Sequence, residues 1–310
     1  MGRTDQGERR YHRVTPMHIR MAENFRAVFY APFYGTHALG LYAREGLDVE
    51  LMSFSAPGGG PTALAEGTAD ITWGGPLRVM KAHDDDPASS LVCFCEVVGR
   101  DPFFLVGTGD AQSFRLEHLP KLRFATVSEV PTPWLCLQHD LRERGVDPAK
   151  LARTTDRPMA ENLAALRDGR LDVIQVFEPY ASLAVKAGAQ VLYAASARGP
   201  TVYTTFLATR AGIERHRDAF AAITRAMGGM QDWLAKEGGK GLAEVTAPFY
   251  TDVEPDVLRM ALQRYHDAGL WSASTAVSRD GFARLGESLL SGGYIKRKPS
   301  YADCVDEGFA

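Results

Sequence analysis

The chain has 310 residues, 45% hydrophobic and 24% charged, with 35 Lys and Arg against 38 Asp and Glu. A net charge of −3 argues against nucleic acid as the main partner, and no apolar run is long enough to insert in a membrane. The length suffices for two α/β lobes, each with its own core.

Residues 1–17, beginning MGRTDQGERRYHRVTP, are charged and lack the apolar stretch of a secretory signal. They read as an N-terminal arm. The expectation is therefore a cytoplasmic protein, or a periplasmic one if an export signal has been removed. The segment His18 to Met21 then reads as a first strand. It is followed by an aromatic loop, Phe29, Tyr30, Phe33 and Tyr34, with Pro32 and Gly35 as turn residues. Helical spacing begins near Gly35, with Ala38, Leu41 and Tyr42 on one face, and Gly46 stops it. Leu47 to Met52 alternates as a second strand. Strand, helix and strand in so short a span form a βαβ unit, which implies a parallel sheet. The loop after its first strand, from Asn24 onward, falls at the carboxyl edge where open α/β folds bind ligands.

Gly58-Gly59-Gly60 followed by Pro61-Thr62 reads as a glycine turn opening a helix, whose free N–H groups suit a polar ligand edge. The G-x-G-x-x-G dinucleotide spacing is absent. Ala69 to Trp73 is a third strand ending in Gly74-Gly75-Pro76, followed by a short helix through Lys81. The acidic run DDDP at 84–87 reads as a solvated loop. Leu91 to Val98 and Phe103 to Gly107 are further strands. Cys93 and Cys95 fall on one face of the former, and no C-x-x-C is present among Cys93, Cys95, Cys136 and Cys304, so the thiols read as buried and apolar.

From Gly107 a second run of βα units begins. Strands are expected at 122–127, 171–176 and 191–194, and helices at 133–144, 159–167 and 179–187. A strand-like run at 201–209 leads into helices at 212–236, 238–247, 254–268 and 278–290. The order implies lobe 1 from 18–106 and 204–310, lobe 2 from 107–203, and a two-stranded hinge closing a cleft.

Three stretches, AVFYAPFYGTHALGLYAREGLDVEL, LAEGTADITWGG and VFEPYASLAVKAGAQVL, resemble in order and spacing the type II periplasmic-binding-protein fold. The resemblance is to its sulfonate, taurine, nitrate and thiamine-pyrimidine (SsuA/THI5-like) binding members. It covers roughly residues 18–235. It implies a small ligand held between two lobes and, in exported members, delivery to a membrane transporter. The pyrimidine synthases of this fold carry a lysine and a histidine four apart, whereas Lys81 and His83 here are two apart. The desulfinase branch carries a cysteine in the first-strand loop, and this chain has none there.

The candidate ligand residues follow from strand ends, helix starts and the hinge. Phe29, Tyr30, Phe33, Tyr34 and Trp73 offer ring stacking. Asn24, Gly59, Gly60, Thr62, Gly74 and Gly75 line loop edges. Arg100 offers a bidentate clamp for an anion. His37, Ser128, Glu129, Thr132, Trp134, Glu178 and Tyr203 complete the set. No cofactor, metal site or nucleophile–base pair is read from the sequence. The leading expectation is a solute-binding protein for a flat or anionic metabolite. The alternative is a cytoplasmic enzyme on the same scaffold, of pyrimidine-synthesis, lyase or decarboxylase type, with His37 and Glu178 as its acid and base. A sensor module that reports ligand binding to a partner is a third class.

Overall fold

The computed structural model describes residues 15–54 and 58–309. The expected arm at 1–17 lies largely outside the described residues. The first half of lobe 1 is built from strands β1 (Met17–Ala22), β2 (Leu47–Met52), β3 (Ile71–Gly74) and β4 (Leu91–Val98). Helices α1 (Ala31–Ala38), α2 (Leu41–Arg44), α3 (Gly59–Ala65) and α4 (Leu77–Asp85) connect them. The chain then crosses to β5 (Phe104–Gly107), β6 (Phe124–Ala125), α5 (Thr132–Glu143), β7 (Arg153–Thr154), α6 (Met159–Arg167), β8 (Val173–Val176), α7 (Tyr180–Lys186) and β9 (Gln190–Ala194). It returns through β10 (Thr204–Thr209) into α8 (Arg210–Thr246), α9 (Pro255–Asp267), α10 (Arg279–Ser291) and α11 (Tyr301–Cys304). Helix α8 is broken at Gly238, whose φ of 68° no helix accommodates.

Two five-stranded sheets result, ordered β2-β1-β3-β10-β4 and β7-β6-β8-β5-β9. In each, one strand runs antiparallel to its neighbours: β10 in the first and β5 in the second. Both are the strands that have just arrived from the other lobe. Because β5 starts at Phe104, the first crossing lies at 99–103, a few residues before the boundary read from the glycine run at 107–109. The second crossing occupies 195–203. The C-terminal part does not belong to lobe 1 alone. Helix α10 packs on α5 of lobe 2 as well as on α4 of lobe 1.

Two local expectations are corrected. The helix after the first strand begins at Ala31, with Pro32 in its first turn, so Phe33 and Tyr34 are helical and buried rather than parts of a loop. Strand β4 is also not regular. Phe94 pairs with Phe206 and Glu96 with Thr205, leaving Cys95 (φ 53°) as a bulge. The extra residue breaks the period of two, so Cys93 and Cys95 join different apolar clusters instead of sharing a face. Both thiols are buried, and burial pushes that of Cys93 up to about 12.

The acidic run at 84–87 is not simply solvated. Asp84 accepts the backbone N–H groups of Lys296 (3.0 Å) and Arg297 (3.0 Å), which fastens the C-terminal segment to α4. Close approach of α1 to α8 depends on Gly35, where a Cβ would sit 3.0 Å from Leu242 and 3.1 Å from the Met230 sulfur.

The two crossings are tied together by charge. Arg198, in the second, bonds the carboxylates of Asp101 in the first and Asp140 on α5, and Tyr193 donates to Asp140 at 2.9 Å. Asp101 and Arg198 are almost completely buried. Substituting Arg198→Ala leaves two buried carboxylates without their shared cation. It is expected to cost about 3–5 kcal/mol of unfolding free energy, measured by urea denaturation.

Candidate functional site

The carboxyl ends of the parallel strands of both sheets point into one cleft. From β1 the chain continues into Asn24-Phe25, from β3 into Gly75-Pro76-Leu77, from β6 into Ser128-Glu129-Val130, and from β8 into Phe177-Glu178. This is the edge where open α/β sheets hold ligands. The lobes meet there through aromatic rings. Phe29 of lobe 1 stands edge-on to Phe177 of lobe 2 at 5.4 Å between centroids, and Phe103 in the first crossing meets Phe177 at 5.3 Å.

Inside this seam lies an inner cavity of about 70 Å³. Its lobe 1 wall is Asn24, Phe25, Phe29, Tyr30, Gly75, Leu77 and Arg78. Its lobe 2 wall is Val130, Pro131 and Thr132. The crossings add Phe103 and Tyr203, and the C-terminal segment adds Tyr294. Among the described residues this wall carries no Asp or Glu. Arg78, half-buried, has neither an ion-pair partner nor a side-chain hydrogen bond among them. The first turns of α4, through Leu77 and Arg78, and of α5, through Thr132, open on the cavity from opposite lobes. Helix N-termini carry partial positive charge and free N–H groups.

The polar groups of the wall are held in place. Asn24 accepts the Gly58 N–H at 3.0 Å and approaches the Tyr30 hydroxyl at 3.4 Å. The Tyr30 phenol is pushed up to about 12 by its burial, against the opposing effects of Asn24 and the nearby Arg78 cation. It therefore stays protonated at neutral pH and is available as a donor.

A second, outer compartment of about 350 Å³ opens on the other side of Phe25. Phe54, Glu129, Phe177, Glu178, Tyr180, Tyr250 and Asp252 contribute to its lining. Glu178 is fully buried and committed to the fold. It accepts from Arg264 (2.8 Å), the Ser182 N–H (2.8 Å) and the Ser182 hydroxyl (3.0 Å). Burial pushes its carboxyl up, and Arg264 and Ser182 oppose that shift.

Of the residues expected to hold ligand, Asn24, Phe29, Tyr30, Gly75, Thr132 and Tyr203 share the inner wall, and Glu129 and Glu178 the outer one. The others lie elsewhere, for identifiable reasons. Phe33 stacks on Trp73 at 4.6 Å and Tyr34 stands edge-on to it, all three buried behind the cleft because α1 packs flat against the sheet. His37 is exposed at the far end of α1, beside Phe249. The Gly60 backbone is pressed against its neighbours, where a Cβ would come within 2.3 Å of the Thr72 hydroxyl and 2.8 Å of the Glu23 carbonyl. Gly59 faces the Phe54 ring in the same way. Thr62 bonds back to the Gly58 carbonyl (2.9 Å) on the outer face of α3. Gly74 is buried between Leu207 and Asn24. Arg100 donates to the Ser196 carbonyl at 3.1 Å inside the hinge. The Ser128 hydroxyl is spent on Glu129 (3.4 Å), and Trp134 lies under the Arg153 guanidinium at 4.0 Å. His37 and Glu178, the proposed acid and base, do not meet on either wall.

Phe25, Leu77, Arg78, Phe103, Val130, Pro131 and Tyr294 were not anticipated. For Phe25 the signal was available, since it opens the same strand-end loop as Asn24. Arg78 and Tyr294 carry no local mark of their place on the wall.

With this geometry established, comparison with known proteins places the chain. Residues 106–247 match the NMT1-like family. That stretch, a little under half of the chain, is similar to the family. It is 24% identical over 295 residues to the Bacillus subtilis binding protein YtlA, covering 94% of this chain and 88% of that one. Among solved structures, the Escherichia coli periplasmic aliphatic sulphonate binding protein SsuA superposes with a TM-score of 0.74 at 17% identity, over 94% of this chain and 92% of SsuA. The ligand-binding component of an ABC-type import system from Staphylococcus aureus gives 0.72 at 16% identity, over 94% and 97%. The two-lobe fold expected from the resemblance is thus the fold of this chain.

Burial separates wall from scaffold. Trp73→Ala is expected to lower stability by about 3–5 kcal/mol as a core truncation. His37→Ala should stay within about 0.5 kcal/mol of wild type. Parallel thermal and urea unfolding distinguishes the two.

Proposed function

We propose that this protein is a solute-binding protein whose two lobes close over a small ligand bearing an anionic group, and that Arg78 holds that group. The single observation that carries the reading is the partnerless Arg78 guanidinium on an interlobe cavity whose wall has no carboxylate among the described residues. Arg78 is half-buried, so part of its guanidinium still faces solvent and is free to pair with a charge that enters the cavity. An anionic ligand would supply the pair. The Leu77 N–H at the start of α4 and the Thr132 N–H at the start of α5 would add one donor from each lobe, so that the anion bridges them and favours closure. The Tyr30 hydroxyl and the Phe25, Phe29 and Phe103 rings would surround the adjoining apolar part.

The relatives support this class. One is described as a binding protein, one as a periplasmic sulphonate-binding protein, and one as a component of an ABC-type importer. By extension we propose an extracytoplasmic location and a membrane transporter as the protein's partner. The cytoplasmic expectation gains no support from these relatives, and no helix among the described residues is long and apolar enough to cross a membrane. A sulfonate, a carboxylate or a phosphate ester each fits the chemistry of Arg78, and all three belong in the same screen.

The test is calorimetric titration with aryl and alkyl sulfonates, carboxylates and phosphates, each beside a neutral amide of similar shape. The anions are expected to bind and the amides not. Arg78→Gln should weaken the best anion about 10- to 100-fold, the range of a lost charge-assisted hydrogen bond, without lowering the melting temperature of the free protein. Equal binding of anion and amide, or an unchanged Kd in Arg78→Gln, would overturn the reading.

A further inference from the structure

The inner cavity, about 70 Å³, is smaller than the roughly 150 Å³ cavity that admits a benzene ring. It has room for a compact head group and not for a whole flat metabolite. The remainder of a ligand must extend past Phe25, which borders both compartments, into the outer space of about 350 Å³. That space differs from the inner one in the sign of its charge. Arg26, the one basic residue on its lining among the described residues, is already paired with Glu23 at 3.3 Å, and Glu178 with Arg264 at 2.8 Å. This leaves Glu129 and Asp252 without a basic side-chain partner among the described residues. Glu129 accepts only backbone N–H groups and the Ser128 hydroxyl. Asp252 accepts no side-chain hydrogen bond among the described residues.

These two carboxylates come from opposite sides of the cleft. Glu129 follows β6 of lobe 2, and Asp252 lies in the turn between α8 and α9. Both act on the phenol of Tyr180, which is pushed up from its ordinary value first by burial and then by Glu129 and Asp252. Two like charges thus border one aromatic-walled space that also presents Phe25, Phe54 and Phe177. Such an arrangement is favourable around a cation, since aromatic faces and carboxylates both attract positive charge.

We propose that the outer compartment is a subsite for a positively charged group, a protonated amine or amidine, on the same ligand whose anionic group sits at Arg78. This rests on the anion reading given above and narrows it to zwitterionic ligands with a flat or apolar spacer. The cation would lie between Glu129 and Asp252 and beside Tyr180, in contact with both sides of the cleft. The outer group would then act on specificity and on closure together.

The experiment compares para-(aminomethyl)benzenesulfonate with para-ethylbenzenesulfonate, which share anion, ring and size and differ in the distal charge. Calorimetry at neutral pH is expected to show the ammonium probe binding about 10-fold tighter, the size of a partly desolvated cation–π and ion-pair contact. That ratio should fall toward one in Asp252→Asn and in Glu129→Gln. Asp252 is exposed and supports no helix cap, so its variant keeps the test separate from folding, whereas Glu129 bonds the first N–H of α6. A ratio near one in the wild type, or one unchanged in both variants, overturns the proposal. If neither sulfonate binds, the anion reading has failed. Benzylammonium alone then decides the outer subsite: binding that is lost in Asp252→Asn upholds it, and no binding overturns it as well.

Discussion

The fold depends on two partly buried stretches of chain that pass side by side between lobes. Buried crossings must satisfy their backbone groups locally, and they do: the Thr201 N–H reaches the Gly99 carbonyl at 2.9 Å and the Tyr203 N–H the Val98 carbonyl at 2.9 Å. The charge problem is solved by the Arg198 guanidinium, whose fork engages carboxylates on both sides, one from the other crossing and one from α5. Pulling α5 away from Arg198 would leave Asp140 buried and unpaired, so lobe 2 is held to both crossings as one body. The same constraint explains the sheets. Each strand that arrives across the hinge enters beside strands running the opposite way, which is why β5 and β10 are the antiparallel members.

Given that frame, the strand ends of both lobes face each other, and what differs along the seam is charge. Toward the hinge, Arg78 and two helix starts make the wall positive. Away from the hinge, beyond Phe25, Glu129 and Asp252 make it negative. A uniform cleft could orient a ligand only by shape. A cleft with opposite signs at its two ends fixes which end goes in first, because reversing a zwitterion sets like charges against each other on both sides. The aromatic rings between the two ends are mutually packed edge-on, so they are held as a surface rather than being free to collapse into the space.

The C-terminal segment adds a restraint of a different kind. Helix α10 lies along α5, with His139 and Ser291 3.2 Å apart, while Asp84 of α4 grips the backbone at Lys296 and Arg297. Tyr294 reaches the inner cavity from between these two anchors. Lobe 1 and lobe 2 are thus joined along a third line, and a ligand touching Tyr294 touches the segment that spans them.

How much of this was legible in the sequence depends on the range of the interaction that decides each feature. Strands, helices and the double crossing are written in local periodicity and in glycine and proline punctuation, and these gave the two-lobe fold. Asn24, Phe29, Tyr30, Thr132 and Tyr203 were accessible because strand ends and hinge residues face the cleft in any such fold. Phe33, Tyr34 and Trp73 were misassigned because an aromatic run looks the same whether a loop exposes it or a helix buries it. The helix began at Ala31, four residues before the periodicity became visible at Gly35. The Cys95 bulge was hidden for a related reason, since one inserted residue reverses every face after it and leaves no compositional trace. Arg78 was the hardest to find. It is one arginine among many on an amphipathic helix, and what distinguishes it is the lack of a carboxylate within reach. That is a property of the assembled cleft, contributed by residues more than fifty and two hundred positions away at Thr132 and Tyr294. Pairing is a tertiary quantity, so a residue left unpaired can be recognised only after every possible partner has been placed.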